Sequence, residues 1–241
     1  MNNHKNLFTL ILAGLTGLTM FACTLGSALQ PQDSAVVATP ATSDATAAAP
    51  QQPPSLSSDG VYQAVDAAMA KMISAGAHHV SQTSTLKGGP NTEADIVPPN
   101  LLHMVMNSNG SVVDEFYVVD GTLYANVNGT WTQKPGAGQA YIDMINGLPS
   151  AGMPEAVRAN GKVAGIEVLS GKPAIIYSYD STIKSLNITS SISLWVDQIS
   201  GLPVKQEVRD AKGTQMDQVI TYDSGLTITL PAEAKSAKVM P

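Results

Sequence analysis

From Ser58 onward the chain alternates between two spacings of apolar residues. Val61, Val65, Ala68, Met69, Met72 and Ile73 fall three and four apart. This gathers them on one face and predicts a helix over residues 60–75, capped by Ser58 or Asp59 and ended by Gly76. Beyond it the period drops to two. Residues 80–86 alternate with Ser and Thr, and strands are predicted at 101–106, 112–119, 122–127 and 130–133. Turns at 107–110, Asp120-Gly121 and Asn128-Gly129 separate them. Asp-Gly and Asn-Gly between alternating runs are strong hairpin signals, so the stretch reads as an antiparallel meander. Pro135 to Gly138 breaks it. Tyr141, Ile142, Met144 and Ile145 then predict a helix over 139–146, and 153–160 a second short one with Pro154 in its first turn. Strands resume at 162–169, 173–179, 190–196, 204–209 and 215–222, and 227–230 closes the sheet.

Helix, hairpins, helical insertion and further hairpins imply a mainly β (α+β) fold. The expected form is a curved antiparallel sheet or half-open barrel with helices packed on its concave face. A sheet of roughly eight to ten strands tends to curl. Ile192, Leu194 and Val196 share one strand face, Val204 and Val208 another, and Ile175, Tyr177 and Tyr179 a third. The candidate lining of an apolar cavity is therefore Met69, Met72, Tyr141, Met144, Ile145, Ile175, Tyr177, Ile192 and Leu194. Methionine adapts to irregular apolar ligands. The same residues also suffice to fill a dry core. Gly136, Gly138, Gly147 and Gly152 flank or interrupt 139–160, which makes that segment the candidate lid.

The N-terminal part has neither period. Residues 1–22 read as a secretory leader: Lys5 is their one formal charge, and an uncharged run of about 16 residues follows, short of the roughly 20 that span a bilayer. The run ends Met20-Phe21-Ala22-Cys23, which resembles a bacterial lipobox. In that reading the Cys23 thiol receives a diacylglycerol and becomes the mature first residue; the alternative is an ordinary leader cut after Ala28. Residues 24–58 hold 8 Ala, 5 Pro and 10 Ser or Thr, with Asp33 and Asp44 their only charges. Such a composition cannot bury enough apolar surface to offset chain entropy. It reads as a disordered stalk reaching about 30–35 Å, or as an arm lying on the domain. The expected division is leader 1–22, lipidated Cys23 with stalk to 58, and one domain at 59–241.

Composition narrows the function. A net charge of −6 and an isoelectric point near 5.0 argue against a nucleic-acid partner. One Cys excludes an internal disulfide and Cys-based metal sites. Gly165 to Gly171-Lys172 has the wrong spacing for a phosphate loop, and Pro173 replaces its Ser or Thr. His78 and His79 read as a helix-end pair in water, and His103 as a hydrogen-bonded sheet histidine. Asp114 and Glu115 are adjacent and diverge in a strand, so they form no facing acid–base pair. No catalytic residue, metal site or cofactor is expected, and the chain does not read as an enzyme.

Three pieces of the sequence resemble the LolA-like and LppX/LprG-like envelope lipoprotein family of lipid or lipoprotein carriers. One is the hairpin rhythm of Gly121, Tyr124, Gly129 and Trp131. Another is Trp195, Asp197 and Gly201-Leu202-Pro203. The last runs from Thr221-Tyr222-Asp223 to Ile228 and Leu230-Pro231. The resemblance covers about residues 60–232. It implies a curved sheet wrapping helices around a cavity for acyl chains or lipidated partners. The expected function is a lipid-anchored protein on the extracytoplasmic face of the cell membrane that binds or transfers lipid. The alternative is an envelope sensor or scaffold that binds a protein partner.

Overall fold

The computed structural model describes residues 53–85, 89–108, 110–145, 156–184, 187–213 and 215–240, with the side chains of 143–145 excepted. The leader, Cys23 and nearly all of the expected stalk lie outside them. In chain order the elements are α1 (Ser58–Ser74), β1 (His78–Ser84), β2 (Asn91–Val97), β3 (Leu101–Ser108), β4 (Ser111–Val119), β5 (Thr122–Val127) and β6 (Thr130–Pro135). Then come α2 (Gly138–Ile145), β7 (Ala156–Leu169), β8 (Lys172–Ile183), β9 (Ile188–Asp197), β10 (Pro203–Asp210) and β11 (Gln215–Tyr222). A one-turn α3 (Ala232–Lys235) and a short β12 (Lys238–Val239) end the chain.

The strands form one twelve-stranded sheet in the order β12-β6-β5-β4-β3-β2-β1-β11-β10-β9-β8-β7, with β12 and β7 as open edges. The two meanders meet where β1 pairs with β11. Asp120-Gly121 and Asn128-Gly129 all have positive φ, which makes the type I′ turns that match strand twist. The mainly β open sheet thus agrees with the sequence reading. Several details differ. The helix cap is Ser57, whose Oγ accepts from the Gly60 N–H at 3.3 Å. Residues 91–97 add a strand the reading missed. Residues 156–160 are strand, not helix: Ala156, Arg158 and Ala159 sit opposite Ile183, Ser181 and Asp180, and pairing with β8 outweighs local helix propensity. Residues 153–155 lie outside the described set. Residues 227–230 are unpaired, and the sheet is extended instead by β12, which runs parallel to β6.

One face of the sheet is apolar and carries the helices. Its two halves form two packed clusters. The first joins Val80, Ile96, Leu102, Met104, Phe116 and Val118 with Met72 of α1 and Ile142 of α2. The second joins Tyr177, Tyr179, Ile192, Leu194 and Val208 with Val61, Val65 and Ala68 of α1. Met69 packs against both. The start of α1 is locked to β7. Ser58 Oγ donates to the Gly161 carbonyl at 2.9 Å, and the Gly161 N–H donates to the Tyr62 hydroxyl at 3.1 Å. Arg158 Nη2 donates to Asp66 at 2.7 Å, and its guanidinium lies 5.8 Å from the Tyr62 ring and 5.3 Å from the Tyr179 ring. A Cβ on Gly161 would stand 2.7 Å from Tyr62 Cε1 and 3.0 Å from the Ser58 carbonyl oxygen.

His78 and His79 lie in β1, not at a helix end, because the sheet begins at His78 and alternation sends them to opposite faces. His78 is buried, with Nδ1 3.0 Å from the Gly76 carbonyl, and burial lowers its pKa. On the outer face His79 presents Nδ1 to Asp95 at 2.7 Å and Nε2 to Glu93 at 2.9 Å. Burial alone would lower its pKa, but the Asp95 and Glu93 hydrogen bonds and charges raise it. His103 extends the row, with Nε2 3.0 Å from Glu115 and its ring stacked 4.3 Å from Tyr117, whose hydroxyl donates to Glu115 at 3.0 Å. It is the hydrogen-bonded sheet histidine the sequence suggested. Asp114 diverges from Glu115 as expected. It sits opposite Met106 on the helix-bearing face, and burial raises its pKa.

Two outcomes follow. Gly161→Ala should destabilise the fold by about 1–3 kcal/mol, the usual cost of overpacking, measured by chemical unfolding of the full chain; an unchanged midpoint would contradict the tight α1–β7 contact. His79 holds its proton more tightly folded than unfolded. Its contribution is therefore complete below the ordinary histidine value of about 6.5 and fades as pH rises through the higher folded value. His79→Gln should accordingly lose most stability relative to wild type near pH 5.5 and progressively less above pH 7. A penalty that grows with pH would be inconsistent with the ion-paired imidazolium.

Candidate functional site

The candidate site is the apolar concave face and the two helices that cover it. Alternation builds the floor. In register, Ile175, Tyr177 and Tyr179 of β8 face Val196, Leu194 and Ile192 of β9. Directly opposed residues share a face, so these side chains form one surface under α1. Ile192 and Leu194 are completely buried and Tyr177 nearly so, whereas Ile175 is half-buried at the margin. All four are candidates of the sequence reading, and the β8–β9 register puts them on one face.

The helical members divide between the halves. Met72 is buried in the β1–β5 cluster, and half-buried Met69 touches both clusters. Tyr141 is half-buried with its ring 6.2 Å from Phe116, and burial raises its pKa. Met144 and Ile145 belong to the last turn of α2, and their side chains are outside the described residues. The seven candidates with described side chains therefore do not converge on one point. They belong to two adjoining apolar fields joined through Met69.

The start of α2 is held closely. The Gly138 N–H donates to the Gly121 carbonyl at 3.0 Å. A Cβ at Gly138 would lie 2.5 Å from Val118 Cγ1 and 2.8 Å from Gly121 backbone, so glycine here serves close approach to the β4–β5 turn. The segment 139–160 is not one helical cover. Its first part is α2, and from Ala156 it is sheet.

Sequence reasoning missed the polar groups of this face. Thr92, Gln82, Gln218 and Gln206 are all buried, and register places them side by side across β2, β1, β11 and β10, next to Leu194. Gln218 Nε2 donates to Gln82 Oε1 at 2.8 Å. The signal was parity: Gln206 lies midway between Val204 and Val208, Gln82 two residues after Val80, and Gln218 two before Ile220. Arg158 was missed because its segment was read as helix. Among the described residues no three His, Cys, Asp or Glu are placed to hold a metal, and no helix is long and apolar enough to cross a membrane. The arrangement offers apolar burial and a few neutral hydrogen-bonding groups.

No family model matches the sequence, and no curated protein matches it. Solved structures do resemble it. Mycobacterium tuberculosis lipoprotein LppX superposes with a TM-score of 0.50 at 12% identity, over 68% of this chain and 95% of LppX. A putative outer membrane lipoprotein-sorting domain from Vibrio parahaemolyticus gives 0.35 at 10% identity, over 71% and 95% of the two chains. The Pseudomonas aeruginosa MucA/MucB complex gives 0.40 at 13% identity, over 73% of this chain and 59% of that one. The chain thus has the fold of LppX.

Proposed function

We propose that the protein is an extracytoplasmic lipoprotein, anchored through lipidated Cys23 and a stalk ending near Ser58, that binds or transfers lipid between its sheet and helices. The observation that carries this reading is the bridging of two apolar fields by half-buried Met69. Among the described residues the open twelve-stranded sheet is covered by two helices of appreciable length, and the seam between its halves is filled by a side chain that repacks readily. Acyl chains entering there gain about 0.8 kcal/mol per buried methylene. Met69, Met72, Tyr141, Met144, Ile145, Ile175, Tyr177, Ile192 and Leu194 are the proposed contacts. The half-buried members Met69, Tyr141 and Ile175 are met first. The mechanism is non-covalent and needs no cofactor. A tethered protein exchanges its lipid with partners inside the reach of its stalk.

The alternative, a sensor or scaffold that binds protein, has its own observation. Val168 and Ile199 are 66% and 83% exposed at one end of the sheet, where Val168 pairs with Pro173 and the Gln198 N–H donates to the Pro173 carbonyl at 2.9 Å. Exposed apolar residues at one place suit a protein contact.

Native mass spectrometry of the full chain from a bacterial host, with solvent extraction of any adduct, separates the two. A discrete adduct that extracts as diacyl lipid is the expected result. A bare mass that takes up no added lipid would overturn the carrier reading and favour the protein-binding one. We further propose that α2 moves aside to admit lipid. A disulfide engineered between α2 and β4 should then block uptake until reduced, and uptake at the wild-type rate under oxidising conditions would rule out that movement.

A further inference from the structure

Several buried polar atoms of the helix-bearing face have no hydrogen-bond partner, His78 Nε2, Ser181 Oγ and Gln206 Nε2 among them, and that of Gln206 lies between the two apolar clusters. Gln206 is 1% exposed, and its Nε2 makes no hydrogen bond. Its neighbour across β11, Gln218, donates to Gln82, so the adjacent pair is already joined. On its other side in register is Leu194, and two residues along β10 is Val208, both in the β8–β10 cluster. Beyond Gln218 and Gln82 lie Ile220 and Val80 of the β1–β5 cluster. The unpaired amide therefore sits at the seam of the two apolar fields.

We propose that Gln206 Nε2 is the donor that holds an ester carbonyl of a two-chain acyl lipid, with one chain directed over each apolar field. The proposal rests on the lipid-binding reading and specifies its ligand. An amide N–H buried without a partner costs stability, and an incoming acceptor removes that cost. The acceptor must be uncharged. Leu194, Gln218 and Val208, the neighbours of Gln206 in register and along its strand, supply no cation, so a carboxylate or phosphate would be buried without a counter-charge. An ester carbonyl accepts without carrying charge and branches directly to a chain. Met69 touches both clusters and stands where two chains would part.

The test compares dipalmitoylglycerol with its diether analogue, dihexadecylglycerol, which has the same chains and no carbonyl. Binding to the full chain is read by native mass spectrometry from detergent micelles, for wild type, Gln206→Leu and Gln206→Met. Both substitutions remove an unpartnered amide in favour of an apolar side chain of similar size, so thermal unfolding should show both variants folded. Wild type should prefer the ester by about five- to tenfold, the scale of one net hydrogen bond. Both variants should bind ester and ether alike, at the wild-type ether level. Equal binding of the two lipids by wild type, or an ester preference that survives in both variants, would overturn the role of Gln206 while leaving lipid binding intact. Binding of neither lipid would overturn the carrier reading as well.

Discussion

Burial of the concave face against α1 is the interaction on which the other features depend. A sheet closed into a barrel covers its own interior, whereas this one stops at β12 and β7 and leaves a whole face to be covered by helices. α1 does so across both halves, with Val61, Val65 and Ala68 on one cluster and Met72 on the other. The lock of Ser58 and Tyr62 on Gly161, with Arg158 on Asp66, fixes where that helix lies. α2 is fixed separately, through Gly138 on the β4–β5 turn. The two covers are therefore held at opposite ends of the sheet, and the seam between the halves is closed by packing rather than by a dedicated lock.

The two faces differ in electrical character. The outer face concentrates carboxylates and histidines in the row of Glu93, His79, Asp95, His103 and Glu115, where water screens the charges and the imidazoles hydrogen-bond the carboxylates. The middle of the inner face carries amides and hydroxyls, Gln82, Gln206, Gln218 and Thr92. Neutral groups can be buried beside hydrocarbon at modest cost, where ionised ones cannot. Apart from Arg158 and Asp114, the sheet thus keeps a charged exterior and a weakly polar interior within single strands. In β2, for example, Glu93 and Asp95 point out while Thr92, Ala94 and Ile96 point in.

What was legible in the sequence follows from the same alternation. Hairpins with Asp-Gly or Asn-Gly were found because those turns need left-handed backbone and announce it. The pairing face of Ile192, Leu194 and Tyr177 was found because large apolar residues recur at every second position. β2 was missed because its inward residues include only one large apolar side chain, Ile96, and its outward ones are acidic. Residues 156–160 were misread because Ala156-Val157-Arg158-Ala159 suit a helix locally, and only pairing with β8, from which they are distant in sequence, makes them strand. Gln206 was invisible as a functional residue because a polar residue at inward parity looks like noise until its neighbours across the sheet are known. The cavity candidates were legible as a face but not as two fields, since that division depends on where β1 meets β11.

The placement of α1 also has a mechanical consequence. The helix begins over β7 at one edge of the sheet, while the chain ends on β12 at the other, about 50 Å away measured along twelve strands spaced as in any sheet. Tension applied at Ser58 is delivered to the Gly161 lock at one rim of the sheet. Pulling there peels the helix from its start, breaking the Ser58, Tyr62 and Arg158 contacts one after another instead of shearing them together. The first structure to yield under load would be the cover over the β8–β10 field, with the meander of β1–β6 left standing.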